Sequence, residues 1–322
     1  MLTKTWTSKA DWDSGALDKT YCPIGLGQLE LAYDELFGTG VWIFDGGAGR
    51  KFNWQSFEHT KEDQKTIWRD DFRVDSRSKY PLRTLEPQGW PPISPGYDAT
   101  NHRLIINTAG SKCTMLEIPG VLIKNAIAQL DVYVSTQFSG DALSVVYLRR
   151  QDINNWYSGF VRFVGTLDRT GISKSVAGVH ETLEYADWLA PMNTWRTHVF
   201  EANNSSLKTY TADGTLSAAD SALTWAKNAI MGLGRAAGYM TNFLVQHYTL
   251  PSPPNASISF QFAASDNGAD WSSWTSDITA CANSRYIKVK TSMSRTNFLS
   301  SAMPVLKDMT LTYKLLVEPI FI

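Results

Sequence analysis

The chain has 322 residues, a formal net charge of −1 and an aromatic content of 12%. This length allows two domains of ordinary size, and the nearly neutral charge provides no basic field that would attract nucleic acid. No stretch approaches the roughly 20 apolar residues of a membrane span. The first residues also lack the basic and apolar regions of a signal peptide. We therefore expect a two-domain protein that binds neither nucleic acid nor membrane.

The first part of the chain predicts the beginning of a β-domain. Residues 7–27 are rich in Asp, Gly, Ser and Thr and predict an extended arm or loop. Residues 28–32 alternate as a short strand, whereas residues 42–45 and 52–57 are strand-like but have no partner nearby in the sequence. The charged residues 61–65 predict a solvated linker.

A second β-domain is predicted from residue 68 onward. Residues 80–97 contain five prolines and predict a long ordered loop. Residues 126–134 alternate apolar and polar side chains, as is typical of a half-buried strand, and Asn203 with Asn204 predicts a hairpin turn. Further strands are predicted at residues 104–107, 143–148, 157–163, 197–202, 207–211, 231–235 and 242–248. Many short strands separated by turns predict an all-β sandwich.

The end of the chain supplies the strands that its beginning lacks. A proline-rich linker precedes predicted strands at residues 258–262, 286–290 and 309–313. We therefore predict an all-β fold in which residues 1–62 and 252–322 form one discontinuous β-sandwich. Residues 63–251 are then an inserted domain.

The middle segment resembles the concanavalin A-like lectin and glucanase jelly roll, in its laminin G-like form. The resemblance extends over residues 66–250. It rests on Trp-Arg-Asp-Asp-Phe at residues 68–72, on Asn-Trp-Tyr-Ser-Gly-Phe-Val-Arg at residues 155–162, and on the motifs at residues 193–197, 207–210, 231–234 and 242–243. Members of this family often bind calcium through an Asp just before the closing Asn. Thr241 stands at that position here, which speaks against a calcium site, because calcium needs several carboxylate or carbonyl oxygens, but leaves calcium binding open. No other metal site and no cofactor are predicted.

The two ends resemble β-sandwich modules of bacteriophage tail and virion proteins, which are similar to discoidin-type domains. The resemblance rests on Ala-Asp-Trp-Asp-Ser-Gly at residues 10–15, on Asp-Trp-Ser-Ser-Trp at residues 270–274, and on residues 27–32, 284–289 and 308–313. It implies a virion protein that is made in the host cytoplasm. Such a protein would assemble with other virion proteins and with further copies of itself.

No catalytic residue is predicted. Glucanases of the resembling fold use a Glu-x-Asp-x-x-Glu strand, and the sequence contains no such pattern. Glu181 and Glu184 come closest, but on a regular strand their spacing points them to opposite faces, whereas a retaining glycosidase needs two carboxyl groups about 5–5.5 Å apart. No Gly-x-Ser-x-Gly elbow supports a Ser-His-Asp triad.

Glycan recognition would use aromatic side chains beside polar ones on a concave sheet or its rim loops. Residues of both types occur close together at several places in the middle segment. The candidate carbohydrate-binding residues are Trp90, Arg149, Trp156, Tyr157, Tyr185 and Trp188. The alternative is that these aromatic residues only pack.

The last eight residues, from Leu315 to Ile322, include six large apolar side chains. Such an end exposes an apolar patch unless it docks, either on its own domain or on another subunit. The three cysteines lack metal-ligand spacing, which favours buried or free thiols. Cys22 and Cys281 would approach each other if the two ends form one domain, and the sequence leaves their pairing open.

We therefore expect a non-enzymatic bacteriophage virion protein of the tail or of its receptor-binding apparatus. Its jelly roll would bind host-surface glycan or a neighbouring virion protein. The alternatives are a polysaccharide-degrading enzyme of the same fold and a capsid decoration protein without a ligand.

Overall fold

The chain divides into two compact units in a computed structural model. The split unit comprises Met1–Gln64 and Leu250–Ile322, and the inserted unit comprises Lys65–Thr249. The structure describes residues 2–21, 28–31, 37–45, 47, 50–85, 87–118, 124–137, 142–163, 169–187, 192–212, 214–223, 229–252, 254–296 and 301–316.

The secondary structure consists almost entirely of β-strands. The first segment contains β1 (Leu2–Trp6), α1 (Lys9–Asp13), β2 (Ala16–Asp18), β3 (Thr20–Tyr21), β4 (Leu29–Leu31), β5 (Phe37–Asp45) and β6 (Lys51–Gln64). The inserted unit begins with β7 (Thr66–Asp70), a 3-10 helix (Arg77–Lys79), β8 (Leu82–Arg83), β9 (Gly96–Asp98), β10 (Arg103–Asn107), β11 (Cys113–Glu117), β12 (Ala126–Gln137), β13 (Ala142–Asp152) and β14 (Asn155–Phe163). It continues with β15 (Arg169–Val176), β16 (Val179–Asp187), β17 (Trp195–Asn203), β18 (Ser206–Thr211), β19 (Gly214–Ala219), β20 (Ile230–Gly234) and β21 (Ala236–His247). The last segment contains β22 (Ala256–Ser265), a 3-10 helix (Ile278–Cys281), β23 (Tyr286–Arg295) and β24 (Met303–Leu316).

Both segments of the split unit contribute to each of its two antiparallel sheets. In the five-stranded sheet, β24 pairs with β1, β4 and β6, and β3 pairs with β4. The four-stranded sheet has the order β2-β5-β23-β22. Strands near the end of the chain thus complete the sheets that its beginning starts. The predicted discontinuous β-sandwich is confirmed.

Tryptophan side chains form much of the core of the split unit. The Trp42 indole occupies the space beside Gly40, where a Cβ atom would lie 2.3 Å from the ring. Its Nε1–H donates to the Trp12 carbonyl at 3.1 Å, and the Trp54 Nε1–H donates to Ser284 Oγ at 2.8 Å. Each buried ring therefore has a partner for its polar group, as buried tryptophan requires.

One cysteine of the split unit can be placed. Cys281 is buried, and this burial raises the pKa of its thiol to about 11. Cys22 lies outside the described residues, so its predicted pairing with Cys281 stays open.

The inserted unit is a sandwich of two antiparallel sheets. The eight-stranded sheet has the order β19-β18-β17-β12-β21-β10-β9, with β7 beside β21. The seven-stranded sheet has the order β16-β15-β14-β13-β20-β11-β8. The strand predictions between residues 104 and 248 agree with this arrangement, including the hairpin in which β17 turns into β18. The all-β fold with an inserted jelly roll is confirmed.

The inner face of the seven-stranded sheet packs on the eight-stranded sheet. A Cβ atom at Gly159 would lie 2.9 Å from both the Phe200 ring and Thr209 Oγ1. Ser144 Oγ is hydrogen-bonded at 2.9 Å to Nδ1 of the fully buried His198. Gly159 and Ser144 therefore lie on the inner face. Side chains alternate along a strand, so the residues next to them in the sequence project from the opposite, outer face of the sheet.

Two local predictions are wrong. Within residues 7–27, Ser8 caps the short helix α1, because its Oγ accepts the Asp11 N–H at 3.2 Å and the Asp11 carboxylate accepts the Ser8 N–H at 3.1 Å. The charged residues 61–64 are not a linker, since they extend β6 and pair with β24. Among the described residues, no helix is long and apolar enough to cross a membrane.

Candidate functional site

A cleft of about 390 Å³ lies on the outer face of the seven-stranded sheet. Strands β13 to β16 form its floor, and the turn at residues 87–90 together with Arg235 closes one side. The described residues that line it are Pro87, Gln88, Trp90, Leu143, Val145, Trp156, Ser158, Phe160, Arg162, Arg169, Ser173, His180, Thr182, Tyr185 and Arg235.

Strand register aligns the side chains of this face in four rows. Residues directly opposite each other on antiparallel strands share a face. Taken from β16 towards β13, the rows are Asp187, Arg169, Arg162 and Leu143; Tyr185, Gly171, Phe160 and Val145; Thr182, Ser173, Ser158 and Tyr147; and His180, Ser175 and Trp156. The first row is rich in arginine, and the last two carry hydroxyl and aromatic groups.

A β-bulge decides which residues of β16 face the cleft. The register shifts between Ile172 and Ser173, so that Leu183 has no opposite residue. An extra residue reverses the alternation beyond it. Tyr185 therefore joins Thr182 on the cleft face, with its side chain 51% exposed.

Because of the same bulge, Glu181 and Glu184 are oriented differently from what regular alternation predicts. These residues lie opposite Lys174 and Ile172, on the face away from the cleft. They therefore share a face, contrary to the regular alternation that the sequence predicts. Glu181 forms an ion pair with Lys174 at 3.2 Å.

Guanidinium groups concentrate at one end of the cleft, which we call the arginine end (Arg162, Arg169 and Arg235). Arg162 and Arg169 are directly opposite each other. Arg169 Nε donates to Asp187 Oδ1 at 2.9 Å, and the Arg169 guanidinium lies 4.4 Å from the centre of the Tyr185 ring. These contacts hold Arg169 against the aromatic side chain that the bulge brings to the cleft.

Arg235 forms the opposite wall of the arginine end. Its guanidinium lies 4.3 Å from the centre of the Trp90 ring, and its Nη2 donates to Ser111 Oγ at 3.0 Å. Its Nε is buried without a hydrogen-bond partner among the described residues. A buried N–H that stays without an acceptor costs free energy.

The other end of the cleft is aromatic and uncharged. His180 lies over Trp156, with 5.6 Å between the ring centres, and leaves Trp156 only 1% exposed. Burial lowers the pKa of His180, which keeps its imidazole neutral at neutral pH. Hydroxyl groups of Ser158, Ser173 and Thr182 line the floor between the two ends.

Three of the six predicted site residues line the cleft. Trp90 forms a wall, Trp156 lies beneath His180, and Tyr185 projects from the edge strand. Trp188 lies outside the described residues. The structure places Arg149 and Tyr157 elsewhere, and neither contributes to the cleft surface.

Arg149 and Tyr157 are buried and fully engaged within the inserted unit. Arg149 donates to the carbonyls of Lys124, Asn204 and Leu223 at 2.7–3.0 Å, and to Asn125 Oδ1 at 3.0 Å. The Tyr157 hydroxyl donates to Asp220 and accepts the Leu223 N–H. Burial and the bond to Asp220 raise the pKa of Tyr157 to about 12. The structure thus corrects the sequence interpretation here, because both side chains fix loops and are not accessible to a glycan.

The sequence interpretation missed Phe160, Arg162, Arg169, His180, Thr182 and Arg235. A signal was present for two of them, because Trp156, Ser158, Phe160 and Arg162 follow each other at the spacing of one strand face. The residues of β15 and β16, and Arg235 between β20 and β21, could not be aligned with them without the strand register.

Carboxylates are sparse on this face. In the four rows and their continuation to β20 and β11, the described carboxylates are Asp187 and Glu117, paired with Arg169 and Arg83 respectively. They lie on β16 and β11, five strand spacings apart, or roughly 24 Å across the sheet. Glycosidases hold their two carboxyl groups within about 10 Å of each other.

The position at which the jelly rolls that the sequence resembles often have a calcium-binding Asp carries other interactions in this chain. Thr241 Oγ1 donates to the His102 carbonyl at 3.0 Å, and Asn242 Nδ2 donates to Asp131 Oδ2 at 2.7 Å. Within the described part of the chain, no group of three or more His, Cys, Asp or Glu side chains could hold a metal ion.

No protein-family model matches the chain, and no curated protein matches it in sequence. Among solved structures, a carbohydrate-binding module from Bacillus subtilis is 15% identical, with 47% of this chain and 90% of that chain covered and a TM-score of 0.37. The β-glucanase of Bacillus licheniformis is 11% identical, with 56% and 98% covered and a TM-score of 0.43. A Bacillus subtilis protein with a galectin-like fold is 7% identical, with 58% and 98% covered and a TM-score of 0.44.

Proposed function

We propose that this chain is a non-enzymatic virion protein of a bacteriophage and that the cleft of its inserted unit binds glycan. The glycan proposal rests on the composition of the cleft face. Aromatic, hydroxyl and guanidinium groups line one concave surface, and the described carboxylates of that face stand far apart. This combination can hold a sugar but offers no acid pair to cleave it.

Each kind of side chain in the cleft suits a part of a sugar. The exposed Tyr185 ring can cover the apolar face of a pyranose, while arginine and hydroxyl groups exchange hydrogen bonds with its hydroxyls. A volume of about 390 Å³ accommodates one or two sugar rings and lies within the usual range for small-ligand sites.

The distribution of carboxylates supports a binding role over the glycosidase alternative. Asp187 and Glu117 each neutralise an arginine and lie five strand spacings apart in the sheet. Neither is available as a general acid beside a second carboxyl group. Release of reducing ends from a polysaccharide panel would favour the enzyme instead.

The virion part of the proposal is supported by the resemblance of the split unit to phage tail modules. Because the inserted unit interrupts this scaffold in the sequence, it can act as a module that the scaffold displays. A receptor-binding role in the tail apparatus combines this scaffold with a glycan-binding insert. Cosedimentation with purified particles, detected by mass spectrometry, tests this part separately.

Blocking the cleft should abolish glycan binding. Thr182 is exposed and lines the cleft, so Thr182→Trp should fill it without disturbing the core. Glu184→Trp is the matched control, because Glu184 is exposed on the other face of the same strand.

A glycan array should select a ligand for the unmodified chain. Calorimetry should then show at least about a tenfold higher Kd for Thr182→Trp, which corresponds to about 1.4 kcal/mol, and no change for Glu184→Trp. Equal affinities for both variants, or an array without any hit, would contradict the proposal.

We further propose that the apolar end of the chain contributes to assembly. Leu315 and Leu316 are the last residues of β24, lie opposite Phe52 and Lys51, and are 39% and 38% exposed. A chain that ends at Leu316 keeps every described pair of β24. It should melt as the full chain does but show a smaller mass in light scattering at the same concentration. A lower melting temperature with unchanged association would show instead that the last residues stabilise the split unit and have no role in assembly.

A further inference from the structure

We infer that the inserted unit has a second glycan-binding surface, on the outer face of its eight-stranded sheet. This surface is a row of four side chains, which we call the aromatic row (Trp195, Tyr133, Tyr239 and Ile105). Its ligand is an extended polysaccharide in which each pyranose ring presents a flat apolar face. The inference is independent of the cleft, which lies on the outer face of the other sheet.

Strand register places the aromatic row across four neighbouring strands. Tyr133 of β12 lies directly opposite Trp195 of β17 on one side and Tyr239 of β21 on the other. Tyr239 in turn lies opposite Ile105 of β10. On β10, β12 and β21 the apolar residues next to the row are buried in the core: Leu104, Ile106, Val132, Val134 and Met240. Because side chains alternate along a strand, the row projects from the outer face.

The three rings of the row pack against one another and still reach the surface. The Tyr133 ring centre lies 5.6 Å from that of Trp195 and 5.7 Å from that of Tyr239. Trp195 and Ile105, at the two ends of the row, are 42% and 40% exposed. These contacts hold the rings in place before a ligand arrives, which lowers the cost of ordering side chains on binding.

A polar row runs beside the aromatic row on the same three central strands. It contains Thr197, Asp131 and Thr241, which lie opposite one another two residues from the ring-bearing positions. The Asp131 carboxylate accepts hydrogen bonds from Thr197 Oγ1 and from Asn242 Nδ2, both at 2.7 Å. These bonds fix the carboxylate, whose oxygens have further lone pairs that can accept hydrogen bonds from sugar hydroxyls.

The dimensions of the aromatic row favour a polysaccharide over a protein partner. The row spans three strand spacings, or roughly 14 Å, and the polar row begins roughly 7 Å further along the strands. The apolar strip therefore covers roughly 100 Å², whereas a stable protein interface buries roughly 800 Å² on each partner. A narrow strip bordered by hydrogen-bonding groups matches a single sugar chain, because its rings have apolar faces and hydroxyl edges.

Affinity electrophoresis of the full chain tests this inference, with hydroxyethyl cellulose, galactomannan or xylan in the gel. These three probes share a β-1,4-linked backbone of flat pyranose rings. Every measurement is made in the Thr182→Trp chain, in which the cleft is blocked. The variants of the row are Trp195→Ala and Ile105→Glu, and Trp274→Ala is the control, because Trp274 is a 40% exposed tryptophan of the split unit.

At least one of the three polysaccharides should retard the Thr182→Trp chain. Each variant of the row should raise Kd about tenfold, because one removes a stacking ring and the other places a charge on the apolar strip. Trp274→Ala should leave Kd unchanged. Thermal melting checks that each variant is folded, and the two substitutions at opposite ends of the row test the surface independently of each other.

Three results would overturn the inference. If the unmodified chain is retarded and Thr182→Trp is not, binding belongs to the cleft alone, and the proposed function stands without a second surface. If none of the three polysaccharides retards either chain, the aromatic row does not bind this class of glycan. If Trp195→Ala leaves the retardation unchanged but lowers the mass found by light scattering, the row is a contact between copies of the chain. Retardation that survives Thr182→Trp and is weakened by both variants of the row supports the second surface, whatever the cleft binds.

Discussion

Replacing Arg149 by methionine should lower the free energy of unfolding of the inserted unit by about 3–5 kcal/mol. The side chain is 1% exposed and donates to three backbone carbonyls and to Asn125. Methionine fills a similar volume but leaves these buried acceptors without a donor, and each such acceptor costs about 1–3 kcal/mol. Partial access of water to the carbonyls brings the sum down to the stated range.

Pulse proteolysis in urea, with fragments of the inserted unit identified by mass, measures this loss. Arg83→Met is the control, because Arg83 belongs to the same unit but has a 42% exposed side chain and one carboxylate partner, Glu117. Its loss should cost no more than about 1 kcal/mol. If the two variants lose equal stability, the Arg149 network is not what holds these loops.

Arg149 also illustrates why the role of a side chain could not be read from the sequence. Arginine beside tryptophan and tyrosine is equally consistent with a sugar site and with a buried loop anchor. The choice depends on backbone carbonyls from residues 25 to 74 positions away along the chain. Composition and alternation contain no information on such distant acceptors.

The fold was far more accessible to sequence reasoning than the cleft. Alternating side chains and turn residues mark the strands one by one, and the unpartnered strands at both ends predict the discontinuous sandwich. The cleft depends on how strands of different parts of the chain align. The bulge opposite Ile172 and Ser173 brings Tyr185 to the cleft and turns Glu184 away from it, and neither effect follows from regular spacing.

Acidification from pH 7 to pH 5 should destabilise the inserted unit by about 2 kcal/mol through His198 alone. Burial lowers the pKa of His198 from 6.5 to about 3, and its ring nitrogens face the hydroxyls of Ser144 and Thr209. In the unfolded chain the imidazole takes up a proton below about pH 6.5, while in the folded chain it does not until about pH 3. Stability from this group is therefore complete above pH 6.5 and decreases as the pH falls. At pH 5 the difference of about 1.5 pH units corresponds to about 2 kcal/mol, at 1.36 kcal/mol per unit.

The comparison that isolates His198 uses His198→Gln, because glutamine can bond to both hydroxyls but does not titrate. Urea unfolding of the inserted unit at pH 7 and pH 5 should show that this variant loses about 2 kcal/mol less unfolding free energy than the unmodified chain.

His180→Gln serves as the control. Burial lowers the pKa of His180 in the same direction, but His180 lies at the exposed edge strand, so this variant should keep most of the pH dependence. Burial raises the pKa of Asp70 in the same unit, but this carboxyl group is present in both chains, so its protonation cancels in the comparison. If His198→Gln and the unmodified chain lose equal stability, His198 accepts its proton in the folded state, and the packing between the two sheets is more open to water than the structure indicates.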